Sequence, residues 1–265
     1  MRIIQDAINN IKNIQDFAQS ANGSMPFKLK TTHVLVRLEP QIATWMDHTT
    51  RMLSDHVTGL VYEKIRRNEP MKICDSIESL LRTSKACGWG DQLFEMAVHR
   101  VLCDGFTFEP KSMDARAPRL RMKIKKANLE AGGHFHKLSV RAEPGSRNVG
   151  NRFLNQYLIP LSSTAETIDS ASIFKDVTVL FKITISPSHA LNLKGITELI
   201  DELPHNAKKR ICIVFIIPDH NTACRPYKRQ EIDVPLGVPK SVSDPVVAYN
   251  QYVYYFPMDK LWLVM

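Results

Sequence analysis

Ile168-Asp169-Ser170, followed by Val177 to Thr184 (VTVLFKIT), sets an acid ahead of the clearest strand of the chain. The acid closes one segment with strand character. Strict alternation then sets in. Val177, Val179, Phe181, Ile183 and Ile185 point one way; Thr178, Leu180, Lys182 and Thr184 point the other. The first face is wholly apolar and calls for a covering helix. The second turns polar in its C-terminal half, where Lys182 and Thr184 project together. Pro187-Ser188-His189 turns the chain, and Leu193, Ile196, Ile200 and Leu203 make a helical stripe stopped by Pro204. Ile211 to Ile217 (ICIVFII) is an unbroken apolar run, the sign of a strand buried on both faces. Strand, helix and buried strand form a crossover, so the two strands are expected side by side, parallel and right-handed. The fold class is therefore α/β (α+β) with a mixed sheet.

Upstream, Phe153 to Pro160 reads as a strand and 143–150 as a loop. In Arg119 to Lys125, alternation puts Leu120, Met122 and Ile124 on one face and Arg119, Arg121, Lys123 and Lys125 on the other. Gly132-Gly133 suggests a hairpin turn into 134–141. Gly88-Trp89-Gly90 breaks the pattern before a helix from Asp91 to Cys103, on which Asp91, Glu95 and His99 share one face. That face is either plainly solvated or offered to a metal or phosphate. Residues 3–18, 42–66 and 71–81 carry helical periods, and 30–38 holds a short apolar run, so the first 82 or so residues read as largely helical. Downstream, 218–245 reads as a long surface loop and 246–265 as one or two strands. The expected division is a helical segment over 1–84 and a second domain over 85–265.

The chain has 265 residues, 44% of them apolar and 23% charged, as a globular protein does. A net charge of +8 and a pI of about 9.2 favour an anionic partner, nucleic acid first and an acidic membrane surface second. A row of cations spaced about 7 Å apart, comparable to phosphates along a nucleic-acid strand, suits the first; a lysine-guarded strand edge explains the same row equally well. Five scattered cysteines without a C-x-x-C point to a reducing compartment and no zinc site. No run reaches transmembrane length and no signal core is seen, which suggests an intracellular protein.

The order of elements, a helix with Glu95, strands, Asp169, a strand with Lys182-x-Thr184, a helix and a buried strand, resembles the αβββαβ core of PD-(D/E)xK restriction-endonuclease-like proteins. The local words are similar to those of Crinkler-type effectors and retrotransposon-hot-spot-like proteins. Gly90 to Glu95 with His99 resembles their G…F-E…H helix, and Tyr157 to Ser162 with Ile168-Asp169 resembles Y-x-x-P-x-S…I-D. Leu180-Phe181-Lys182-Ile183-Thr184 is similar to L-F-Q-x-T, Ser188-His189 with Lys194-Gly195 to S-H…K-G, Phe215 to Pro218 to F-V-V-P, and Gln251-Tyr252-Val253 to Q-Y-V. These words span about 88–254. Residues from Thr32 to Leu35 and the helix beyond resemble the segment C-terminal to a P-loop ATPase module in such proteins, although no G-x-x-x-x-G-K-[ST] occurs.

An acid beside a strand with Lys-x-Thr outlines a metal-dependent nuclease site. The resemblance implies Mg²⁺, with Mn²⁺ as substitute, held by Glu95 and Asp169, and further site residues Lys182, Thr184, His189 and Lys194. It also implies DNA or a host nuclear protein as partner and a host nucleus as the place of action. One residue departs from the pattern: Lys182 stands where a carboxylate or amide ligand belongs, and a charged lysine has no lone pair for a metal. It can neutralise phosphate, occupy the metal's place as a tethered cation, or pair with Asp169 structurally. Active nuclease and non-catalytic binder both stay open at this point, the second with no cofactor.

Overall fold

The computed structural model describes residues 2–11, 35–41, 44–68, 73–81, 87–126, 137–138, 154–160, 167–188, 190–203, 210–219, 226–236 and 238–262. The fold is mixed α/β with a mixed sheet and divides into two compact units. The first comprises 1–100 with 258–265, the second 101–257.

In the first unit, α1 (Arg2–Asn9) precedes a hairpin of β1 (Val36–Gln41) and β2 (Thr44–Met52). There follow α2 (Asp55–Asn68), α3 (Ile73–Leu81), α4 (Cys87–Cys103), which crosses the division, and a 3₁₀ helix, Met258–Trp262. Ser54 caps α2, its Oγ accepting from Val57 N–H at 3.3 Å. Val57, Val61 and Ile65 recur every fourth residue and are buried. Lys64 Nζ donates to the carbonyls of Ile8 and Asn9 at 2.6 and 2.7 Å, satisfying the C-terminal end of α1. The expected helix over 42–66 is therefore wrong in its first part, and this region is not all helix. A period of 3.6 can be traced through Trp45, Met46 and Met52. The partnership with 36–41 decides instead, and it tolerates Pro40 because a two-stranded sheet is all edge. The two glycines before Asp91 do not break α4, which already begins at Cys87 with Trp89 fully buried.

The second unit contains β3 (Phe106–Phe108), β4 (Lys111–Ser112), β5 (Met122–Ile124), β6 (Lys137–Leu138), β7 (Tyr157–Pro160), β8 (Ser170–Ile173) and β9 (Thr178–Ile183). It continues with β10 (Leu191–Asn192), α5 (Leu193–Glu202), β11 (Ile211–Pro218), β12 (Ile232–Asp233), α6 (Lys240–Val247) and β13 (Asn250–Phe256). Seven strands form one sheet in the order β4-β13-β11-β9-β8-β7-β6. β7, β8 and β9 are an antiparallel meander; β9, β11 and β13 run parallel. The crossover through α5 thus joins adjacent parallel strands, as the sequence leads one to expect.

The covering of β9 is the reverse of expectation. Leu193, Ile196 and Leu199 of α5, with Leu203 at its C-terminal cap, cluster with Leu180, Ile213, Phe215 and Val253, on the face that also carries Lys182. The Phe181 face packs on aromatic rings instead: Phe108 and Tyr157 lie 6.0 and 5.8 Å from Phe181, and Phe106 stacks on Phe256 at 5.7 Å. β11 is apolar on both faces, so both need cover; the crossover helix supplies one, and on the other side the rings of β3 lie on the strands that flank β11, against Phe181 of β9 and Tyr254 and Phe256 of β13.

Three further expectations are corrected. Only Met122–Ile124 of the basic stretch is strand, and it pairs with β3. Lys137–Leu138, within the expected hairpin partner, pairs parallel with β7 instead. The surface loop over 218–245 holds β12 and the start of α6. Residues 12–18 of the first expected helix, the Gly132-Gly133 turn and His189 lie outside the described residues. Among the described residues no helix is long and apolar enough to cross a membrane.

Candidate functional site

The site grows from one rung of the β8–β9 ladder. Ser170 stands opposite Phe181 in register, and Asp169 N–H donates to Phe181 O at 2.9 Å. Asp169 is thus at the start of a strand, not the end of one, and Lys182 is its cross-strand neighbour on the same face. Lys182 Nζ donates to Asp169 Oδ1 at 2.8 Å, and Ile183 N–H donates to Asp169 Oδ2 at 2.5 Å. The two side chains are only 8% and 6% exposed. A charged pair this far from water needs its remaining hydrogen-bond capacity filled, and the backbone N–H of Ile183 fills part of it.

Thr184 follows on the same face and is buried. Its Oγ1 accepts from Ser186 N–H at 3.1 Å, a local turn that ends the strand. Gly195 lets α5 approach the segment entering Asp169: a Cβ there would lie 2.9 Å from Thr167 Oγ1. Lys194 is capped through its N–H by Asn192 Oδ1 at 2.8 Å, while its ammonium lies in the open, 3.8 Å from Glu198. Its charge is spent along the helix surface. Glu95 belongs to the first unit, where its Oε1 lies 3.3 Å from Nε2 of buried His99 one turn along α4.

The basic stretch keeps its alternation beyond the short strand. Met122 and Ile124 are buried, whereas Arg119, Arg121, Lys123 and Lys125 are all exposed. Within 106–126 there are seven basic and two acidic residues, and all seven basic side chains are exposed, Lys111, Arg116 and Lys126 being the others. Arg121 lies 3.2 Å from Glu109 in an exposed pair, which holds little energy in water. Both ends of the stretch are fixed. Tyr252 Oη donates to Pro118 O at 2.9 Å. Lys125 N–H donates to Asn155 O, and Asn155, at φ 62°, donates back to Ile173 O. Asn accepts that left-handed conformation more readily than most residues. Gly105, at φ 93°, leaves room for Lys126 N, which would lie 2.9 Å from a Cβ.

A polar network not foreseen in the sequence braces the sheet nearby. Gln251, fully buried in β13, accepts from Gln230 N–H at 2.8 Å and donates to Gln230 O at 2.9 Å. Its own N–H donates to Asp114 Oδ2, whose other oxygen accepts from Arg229. A side-chain amide here does the work of another strand. The only sequence sign is a glutamine inside a run of strand-formers.

The donor set at Asp169 does not fit magnesium. The ion needs oxygen ligands at about 2.1 Å in octahedral geometry. Beside Oδ1 it would meet the Lys182 ammonium at roughly 4 Å, a repulsion of about 8 kcal/mol for charges of two and one at an effective dielectric constant near 20. No group of three or more His, Cys, Asp or Glu that could hold a metal occurs among the described residues. Comparison of the chain with family models, curated proteins and solved structures finds no match to any of them.

Proposed function

We propose that residues 101–257 form a restriction-endonuclease-like module that binds nucleic acid, DNA first, without cleaving it. The meander β7–β8–β9, the helix α5 and the parallel strand β11 support the likeness in architecture. The observation that carries the binding reading is the exposure of Arg119, Arg121, Lys123 and Lys125 on a backbone fixed at Pro118 and at Lys125. The Asp169–Lys182 contact argues for binding over hydrolysis. Four phosphate contacts give a salt slope near −3.6, so affinity falls roughly 10²-fold between about 50 and 200 mM salt. Fluorescence anisotropy with a labelled duplex measures this. Replacing Arg119, Arg121, Lys123 and Lys125 together by Gln is expected to abolish the slope; unchanged binding in that variant sinks the proposal.

The hydrolytic reading of the same architecture retains one observation, the Glu95–His99 pair on α4. Plasmid cleavage with Mg²⁺ or Mn²⁺, lost in both Asp169→Ala and Glu95→Ala, would establish it in place of ours. The Crinkler resemblance adds a host nucleus as the place of action and a host nuclear protein as the other partner class. A fluorescent fusion that stays out of the nucleus counts against that part.

A further inference from the structure

We infer, from the same reading of Asp169 but independently of any nucleic acid, that the Lys182 ammonium is a resident substitute for a divalent cation, and that one substitution at position 182 opens a cation site there. The substitution is favoured by how the pair is held. Asp169 cannot swing away, because Oδ2 accepts from the Ile183 backbone while Oδ1 accepts from Lys182. Lys182 lies within the ladder of β9 and sits beside Phe215 of β11 in register, so its stem is confined too. The positive charge is therefore delivered to one carboxylate oxygen by covalent attachment, with no ion to lose.

The length of the side chain makes the claim reversible. Glutamate places its carboxylate oxygens about one bond short of a lysine nitrogen, and one bond is about 1.5 Å. Replacing Lys182 by Glu thus turns a 2.8 Å contact with Asp169 into an oxygen-to-oxygen gap of roughly 4 Å. That gap is what a cation bonded at about 2.1 Å to each oxygen spans. Two carboxylates directly opposite on neighbouring strands repel each other, and their burial sharpens the repulsion, so the variant gains most from taking up an ion. The wild type has no such deficit and repels the ion through Lys182.

The test uses the full chain and Mn²⁺ alone, followed by calorimetric titration, by the electron paramagnetic resonance of free Mn²⁺, and by thermal unfolding. The wild type is expected to show no Asp169-dependent Mn²⁺ binding and no shift in melting temperature on adding Mn²⁺ after chelator. Lys182→Glu is expected to melt below the wild type in chelator, to recover with Mn²⁺, and to bind the ion at least tenfold more tightly. Asp169→Asn in the same chain is expected to remove that gain. Should Lys182→Glu not fold without the ion, Lys182→Gln, which adds an oxygen donor and no charge, carries the test with weaker uptake of the same Asp169 dependence. Asp169-dependent Mn²⁺ binding by the wild type overturns the inference. So does failure of both variants to gain it, or a gain indifferent to Asp169. None of these outcomes depends on whether the protein binds DNA.

Discussion

Gln251→Ala is expected to loosen the sheet at a point that can be followed residue by residue. The side chain is fully buried and exchanges two hydrogen bonds with the main chain of Gln230, itself 7% exposed. Each such bond is worth about 1 kcal/mol net, and stranding a buried partner costs about 1–3 kcal/mol more. Part of that penalty is relieved by water entering the space left by the amide. A loss of roughly 3–4 kcal/mol results, which for a protein of this size lowers the melting temperature by about 6–16 °C. Urea unfolding gives the free energy, and hydrogen exchange at the Gln230 amide reports whether the named bond is responsible. Gln251→Glu separates donor from acceptor. A carboxylate still accepts from Gln230 N–H but faces the Gln230 carbonyl with no proton to donate, so stability should recover on acidification as the carboxyl gains one. If Gln251→Ala costs under about 1 kcal/mol and leaves the Gln230 amide protected, the side chain is not acting as a strand.

Lys182→Met strands the Asp169 carboxylate in a site nearly closed to water and should cost about 3 kcal/mol; with Asp169→Asn in a double-mutant cycle, a coupling of roughly 2 kcal/mol is expected, and additive losses would mean the two charges do not depend on each other. Gly195→Ala should cost about 1–3 kcal/mol by overpacking, since its Cβ would press on Thr167 at 2.9 Å; Thr167→Ala should return part of that loss, and a Gly195→Ala protein as stable as wild type refutes the close approach. Burial pushes the Cys212 thiol from 9.0 to about 12 and, with Glu63 adding to it, the Tyr62 hydroxyl from 10.0 to about 12. The folded protein therefore keeps protons that the unfolded chain gives up. These two groups leave stability level below pH 9 and lower it from 9 to 12 for Cys212 and from 10 to 12 for Tyr62, by up to about 1.4 kcal/mol per pH unit each. Unfolding measured across that range in Cys212→Ser and Tyr62→Phe should show a shallower fall, and an identical slope in the double variant contradicts the assignment.

Much of the second unit was legible because its core is periodic. The run of Ile211 to Ile217 and the stripe of α5 state a buried strand and a helix; the strand stands as read, while the helix covers the other face of β9 and buries Leu199 more fully than Ile200. Elsewhere composition misleads in definable ways. Ser170 and Ser172 look like turn residues, yet all of β8 is buried. The Ser170 hydroxyl is satisfied there by Tyr157 Oη at 2.6 Å, a bond no local pattern encodes. Prolines disguise 226–247, where Leu191 N–H bonds to Glu231 O and so draws a short strand beside β10. In 44–52 a helical period is present in the residues, and pairing with a neighbouring segment overrides it. In each case the deciding partner lies on another segment of the chain, which the local residues do not name.

The same distinction separates the two halves of the candidate site. The cationic row was legible because exposure follows alternation, and alternation needs only a locally extended backbone. It persists from Arg119 to Lys125 although hydrogen-bonded strand covers just the middle. Asp169 and Lys182 were legible as residues but not as a pair of known sense, because which face of β9 receives α5 is not written in β9. Alternation assigned the helix to the face of Val179 and Phe181. Once α5 covers Leu180 instead, Lys182 is enclosed. An enclosed ammonium must find a carboxylate or lose its charge, and Asp169 is the residue the ladder sets opposite. The burial that turns a polar-looking strand face into part of the core is thus what commits Lys182 to Asp169 and excludes a free cation from the same oxygen. Chemistry at this position follows from the choice of face, and the face opposite α5 is taken by the aromatic rings of β3, more than sixty residues earlier in the chain.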